Sequence, residues 1–210
     1  VNGRAPKKPS RDERKQATRQ EIIDAALRLL SDRGYSGLSL REVTREAGIS
    51  PGAFYRHFES MEALGLVLID ESFGSLRDML RSGRAGKVDP NKITESSVDV
   101  LAKSVADHPL HWRFIARERS TGLSVLRYAI NTEIRLITAE LATDLARFAD
   151  LKQWSTEDLN ILAGLFVNSM VSIAEELEGA SNKKELAQIK VTAEKQLRMI
   201  VVGMGGWRSS

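Results

Sequence analysis

Apolar residues recur at three- and four-residue spacing along most of this chain, and that period predicts helices. Ile22, Ile23, Ala26, Leu27 and Leu30 form the buried stripe of a first helix, expected from about Ala17 with Thr18 near its N-cap and ended by Gly34. Ser39 followed three residues later by Glu42 is a capping box that opens a short helix. Its stripe is Leu40, Val43 and Ala47. Gly48 stops it, because glycine takes the left-handed conformation without steric cost. Ile49 plugs the turn, Ser50 is an N-cap, and Pro51 suits a first helical position. Phe54 and Phe58, one turn apart, then face inward. Tyr35 and Leu38 are expected to pack the first helix beneath this pair.

Ser60 caps a long helix predicted from Met61 to about Arg81, with Leu64, Val67, Leu68, Ser72, Leu76 and Leu80 on its face. Gly83 to Pro90 reads as a loop by its breakers. Ile93, Val98, Leu101 and Val105 mark a fifth helix, closed at Asp107-His108-Pro109. A short sixth passes through Trp112, Phe114 and Ile115. A seventh holds Leu126, Ile130, Ile134, Ile137, Leu141 and Leu145. Ser155-Thr156-Glu157-Asp158 starts an eighth, from Leu159 to about Leu177, and a ninth holds Leu186, Ile189, Ala193, Leu197 and Ile200. The stretch from Gly203 to Ser210 is expected to fray. The eighth helix is apolar almost all round, so it needs cover on every side, either from a second copy or from a monomer core. Ala163 and Gly164 are small enough to admit a neighbouring helix.

Composition narrows the class. With 42% hydrophobic residues and 210 positions the chain can bury a sizeable core. There is no cysteine, which excludes disulfides and thiolate metal sites and suits a reducing cytoplasm. No apolar run is long enough to cross a bilayer, so membrane insertion is not expected. Charge is unevenly placed. Residues 1–20 carry Arg4, Lys7, Lys8, Arg11, Arg14, Lys15 and Arg19 against Asp12 and Glu13, a local +5; the whole chain carries +3, which leaves −2 for the rest. A basic arm beside paired short helices is the electrostatic footprint of a DNA-binding protein. Gly3, Pro6 and Pro9 make residues 1–16 a flexible arm in free solution.

The outward positions of the second short helix carry the chemistry. Gly52 and Ala53 are too small to hold it off a surface, Tyr55 and His57 can donate to phosphates, and Arg56 can reach phosphate or guanine. Two helices joined by a glycine-containing turn have the geometry of a helix-turn-helix, whose second helix enters the major groove. A helical hairpin buried in a core is the alternative, and it leaves this outward composition unexplained. The candidate DNA contacts are Arg11, Arg14, Lys15 and Arg19 from the arm and first helix, Ser39 and Arg41 from the second, and Ser50, Pro51, Gly52, Ala53, Tyr55, Arg56 and His57.

The stretch SLREVTREAGISPGAFYRHF resembles the DNA-binding motif of TetR-type transcriptional regulators, with Ser50, Tyr55, His57 and Phe58 at the matching positions after an Ala-Gly-Ile turn. That resemblance implies an all-α homodimer on a palindromic operator of double-stranded DNA. Its head would be a DNA-binding domain over residues 17–59, and its body, residues 60–210, would dimerise and bind a small effector. The stretches around Leu64-Gly65-Leu66, Asp70-Glu71-Ser72 and Arg117-Glu118-Arg119-Ser120 are similar to the FabR- and DesT-type subgroup. This second resemblance implies a repressor of desaturase or unsaturated-fatty-acid synthesis genes that senses the shape of long-chain acyl-CoA.

An acyl chain would then lie between the fourth, fifth, seventh and eighth helices. The apolar positions there are Leu101, Val105, Phe114, Leu126, Ile130, Phe166 and Met170, each of which plain core packing would explain as well. Arg117 or Arg119 could meet the coenzyme's phosphates, or join Glu118 in an internal salt-bridge cluster. A different hydrophobic effector and a ligand-blind DNA-binding dimer remain the alternatives. No nucleophile elbow, P-loop or dinucleotide turn is present, so no catalytic residue or cofactor is expected. His108 and His111 have the spacing of a metal pair, but Pro109 disrupts that turn and no third ligand is near.

Overall fold

Capping sets most of the helix starts in the computed structural model, which describes residues 10–85 and 93–209. Helix α1, Arg11–Leu29, opens on Ser10, whose hydroxyl accepts from the Glu13 N–H while the Glu13 carboxylate accepts from the Ser10 N–H. The helix therefore begins six residues before the expected Ala17, and Thr18 lies inside it, its hydroxyl donating to the Arg14 carbonyl. Arg11, Arg14 and Lys15, expected on a flexible arm, stand on this helix. It also ends earlier than expected: Leu30 is the C-cap, and Gly34 instead precedes a single 3-10 turn, Tyr35–Gly37. Gly83, Arg84 and Ala85, expected to begin a loop, are still helical, while the expectations for Gly3, Arg4, Pro6, Lys7, Lys8, Pro9 and for Gly86 to Pro90 lie outside the described residues, as do those for the side chains of Leu76, Leu80 and Ile93.

Helix α2, Leu40–Glu46, carries the expected Ser39–Glu42 capping box, and α3, Pro51–Phe54, the expected Ser50 cap with proline in its first turn. Gly48 between them has φ 66°, the left-handed conformation that makes the turn tight. Helix α3 is a single turn. The chain then tightens through Tyr55, Arg56 and His57, and the Phe58 N–H still donates to the Phe54 carbonyl at 3.0 Å. The body comprises α4, Met61–Ala85; α5, Ile93–Asp107; α6, Pro109–Thr121; α7, Ser124–Leu145; α8, Thr156–Gly179; and α9, Lys183–Gly206. All the regular structure among the described residues is helical, and no helix there is long and apolar enough to cross a membrane. The expected fraying after Gly203 does not occur. Helix α9 continues to Gly206, and the Ser209 hydroxyl donates to Asp158 at 2.5 Å and accepts from the Ser155 N–H at 2.7 Å.

One apolar core joins head and body. Ile22, Ile23, Val43, Phe54 and Phe58 of the head are continuous with Leu64, Leu68 and Phe73 of α4, Phe114 of α6, and Leu126 and Ile130 of α7. A second core lies between α5, α8 and α9, and a third between α7, α8 and α9. Tyr35 sits at the junction of head and body. Its hydroxyl donates to the Met61 carbonyl, its N–H to Glu118 Oε1 at 2.8 Å, and its ring lies 6.2 Å from that of Phe114. Burial holds its phenol above the usual range, so it stays a neutral donor.

Gly65 makes room for that ring. A Cβ there would lie 2.9 Å from Leu126 Cδ2 and 3.0 Å from the Tyr35 ring. Both neighbours are buried, so neither can yield cheaply. Gly65→Ala should therefore destabilise the protein by about 1–3 kcal/mol, as an overpacked core does. The denaturation midpoint in urea measures this, and an unchanged midpoint would show that the junction is loosely packed.

Candidate nucleic-acid interface

The α2–turn–α3 unit is held from below and open above. Phe54 and Phe58 are buried with ring centroids 5.6 Å apart, and Val43 and Thr44 face the same interior. Above them Pro51, Gly52, Tyr55 and Arg56 are exposed, while Ala53 and His57 are half-buried. Tyr55 is 59% exposed, resting edge-on against Phe54. The buried-hairpin alternative is thereby excluded, since the composition it could not explain faces outward.

Gly52 is the most telling of these positions. A Cβ there would meet nothing within 4 Å. Its backbone needs no left-handed conformation either, because Gly48 alone among the described glycines has positive φ. Nothing within the described chain requires glycine, although glycine costs a helix stability relative to alanine. The open space over it leaves the backbone accessible to a surface that approaches closely.

Around this face the structure places the basic candidates differently. Arg11, Arg14, Lys15 and Arg41 are exposed. Arg19 is not presented as expected: its guanidinium stacks over the Phe58 ring at 5.0 Å and lies 3.5 Å from Glu71 of α4, so it braces the end of the recognition segment. Ser39 is exposed, but its hydroxyl already donates to Glu42 Oε2 at 2.6 Å and accepts from the Glu42 N–H. The Ser39 hydroxyl first, and then Arg33, hold the Glu42 carboxyl down at about 2. That carboxylate therefore stays charged and the cap stays closed at any ordinary pH.

His57 lies among Lys15, Arg56 and Arg19, and its Nδ1 is buried with no hydrogen-bond partner among the described residues. Desolvation, and after it these three cations, hold its pKa below the ordinary histidine value. Free in solution at neutral pH the ring is neutral. A phosphate brought to this face would offset the cations and favour the protonated form.

The expected effector residues are brought together only in part. Leu101, Phe166 and Met170 line an apolar cavity of about 110 Å³, with Phe73, Ile115 and Ile137 among their neighbours. The cavity is walled by α6 as well as by the expected α4, α5, α7 and α8. Phe114, Leu126 and Ile130 belong instead to the core that joins head and body, and Val105 to the core between α5, α8 and α9; none faces the cavity. Arg119 reaches its rim, pairing with Glu175 at 2.7 Å, whereas Arg117 lies over Gly34 at the head. The expected cluster of Arg117, Glu118 and Arg119 therefore does not form. His111 engages Ser72 through Nδ1 at 2.8 Å, and no group of three metal ligands occurs among the described residues.

Two measurements follow from this geometry. Gly52→Ala should raise stability by about 0.4–1 kcal/mol, by restricting the unfolded chain, yet weaken binding to a selected DNA duplex. Unchanged affinity would show that no surface approaches Gly52. Binding should also strengthen as pH falls from 8 to 6, because the DNA-bound state takes up a proton at His57 that the free state resists. His57→Gln should flatten that dependence; an equal slope in the variant would place the linked proton elsewhere.

The comparisons with known proteins agree with this geometry. The profile described as bacterial regulatory proteins, tetR family, matches residues 22–66. A TerR/AcrR-family transcriptional regulator from Aquifex aeolicus VF5 superposes with TM-score 0.67 at 18% identity, over 87% of this chain and 99% of that one. The fatty acid degradation regulator FadR from Bacillus halodurans gives 0.70 at 17%, over the whole of both chains. A putative transcriptional regulator from Pseudomonas aeruginosa PAO1 gives 0.71 at 16%, over 96% of this chain and 97% of that one. At these identities the likeness to the solved structures is one of fold. Residues 22–66 thus match the tetR family of bacterial regulatory proteins, on a chain with the all-helical fold of TetR-type regulators.

Proposed function

We propose that this protein is a homodimeric transcriptional repressor that binds a palindromic operator and is released or engaged by a long-chain acyl-CoA. The observation that carries the DNA-binding part is the outward face of Gly52, Ala53, Tyr55, Arg56 and His57 over a buried Phe54–Phe58 pair. One turn of helix reaches few base pairs, so a two-fold pair of heads on half-sites roughly 34–36 Å apart, or multiples of that, is the arrangement that gives specificity.

Support for the dimer comes from α8 and α9. Ile161 and Leu165 are 55% and 52% exposed, and Met199 and Val202 of α9, with Trp207 just past its end, are more than half exposed. A Cβ on Gly164 would meet nothing within 4 Å in the chain, which leaves space for a partner helix. Ala163, expected to share that role, is wholly buried in the chain's own core. Leu162, Val167 and Ile173 likewise face inward, so the monomer covers only part of the helix's apolar girth.

The effector part rests on the cavity and on the resemblance to FabR- and DesT-type repressors. A cavity of about 110 Å³ is the size of a benzene-class guest and well below the roughly 300–1,000 Å³ of drug-sized ligand sites. An acyl chain would enter only as α6 and α8 part. The pairs that hold them are Arg119–Glu175 at 2.7 Å and Arg113–Glu178 at 2.5 Å. Two packings of the body, closed and chain-filled, then give the protein two states that a ligand can select between. A bent unsaturated chain and a straight saturated one would fill the opened space differently. The regulated genes would be those of fatty acid desaturation.

The test is operator binding with oleoyl-CoA and stearoyl-CoA compared side by side. Their effects on affinity should differ by about fivefold or more. Equal shifts with both would rule out sensing of chain shape, and no shift with either would favour another hydrophobic effector or a ligand-blind dimer.

A further inference from the structure

Control of the head by the cavity needs a part that touches both, and α6 holds one. Trp112, Ile115 and Ala116 of this helix line the cavity. Further along the same helix, toward the head, Glu118 is 1% exposed, and its Oε1 accepts the Tyr35 N–H at 2.8 Å. Tyr35 opens the turn that connects α1 to α2, so this is a direct bond from cavity wall to head, independent of α4. The bond is poorly balanced. Glu118 Oε2 is buried with no hydrogen-bond partner among the described residues, and so is Nη1 of the adjacent Arg117. Both side chains lie over Gly34, where a Cβ would be 3.5 Å from Glu118 Oε1 and 3.8 Å from Arg117 Cδ. A buried carboxylate and a half-buried guanidinium, each with one buried atom left unpartnered, lie over the same glycine without pairing. Such groups are costly unless a second arrangement satisfies them.

We infer that Glu118 is a switch contact, gripping the Tyr35 amide while the cavity is closed and turning to Arg117 when a guest displaces α6. Loss of the grip frees the turn between α1 and α2, and the two heads can change their spacing. This inference rests on the reading that the cavity controls the head. It does not depend on which guest fills it.

A substitution can stand in for the guest. Ala116→Leu adds bulk to the α6 wall of the cavity, and operator affinity of the full-length dimer is then measured by anisotropy in three backgrounds. In the otherwise wild-type protein the added bulk should change affinity by about tenfold and speed hydrogen exchange at the Tyr35 amide. Glu118→Gln keeps an acceptor for that amide but loses the attraction to Arg117, so the same added bulk should change affinity less than about twofold. Arg117→Met leaves the Tyr35–Glu118 bond intact and removes the alternative partner; it should suppress the change equally. It also carries the test if Glu118→Gln fails to fold. A full-sized change in both backgrounds, with Tyr35 exchange unaltered, would overturn the switch. No change even in the wild-type background would overturn the cavity-control reading, and the switch with it.

Discussion

The molecule turns on how one tyrosine is buried. Tyr35 is fastened at three points to two helices: by its hydroxyl to the start of α4, by its N–H to Glu118 of α6, and by its ring to Phe114 of α6 in the space Gly65 leaves. Around it a single apolar core runs from Ile22 in the first helix to Val167 in the eighth. The head is therefore fused to the body rather than tethered to it. Close-packed interiors transmit displacement instead of absorbing it, so the direction in which α3 faces is set by the packing of α4 and α6. That is the physical basis for coupling a cavity in the body to a surface on the head.

Local signals in the sequence are legible where they are complete in themselves. The Ser39–Glu42 box, the Ser50-Pro51 start, the left-handed Gly48 and the Ser155 cap depend on neighbours within four residues, and each forms as expected. The equally complete Ser10–Glu13 box opens a turn that is wholly polar, with no apolar stripe to mark it as helix. Glycines misled in two places. Gly34 looked like a helix stop, but the helix had already ended at Leu29. The glycines near the end suggested fraying, yet Ser209 is pinned to Asp158.

The cavity was less legible, for a different reason. Periodicity says which face of a helix is apolar, but not which neighbour covers each part of that face. Phe114, Leu126 and Ile130 were indistinguishable in the sequence from Leu101, Phe166 and Met170, and only the tertiary arrangement separates core from cavity wall. Arg19 read as one more cation of a basic arm because nothing local reveals the Phe58 ring beneath it. The buried role of Glu118 had no sequence signal at all. A carboxylate on a helix is ordinarily solvated, and its contact with Tyr35 spans 83 residues.

The central claim is that the face centred on Gly52 meets the major groove, and does so twice. Guanine N7 lies in that groove, so its methylation by dimethyl sulfate reports occupancy directly. On a duplex selected from a random pool, the bound protein should protect N7 in two patches related by two-fold symmetry, separated by about one helical turn or a multiple of it. Protection confined to one patch, or to adenine N3 in the minor groove, would contradict the account.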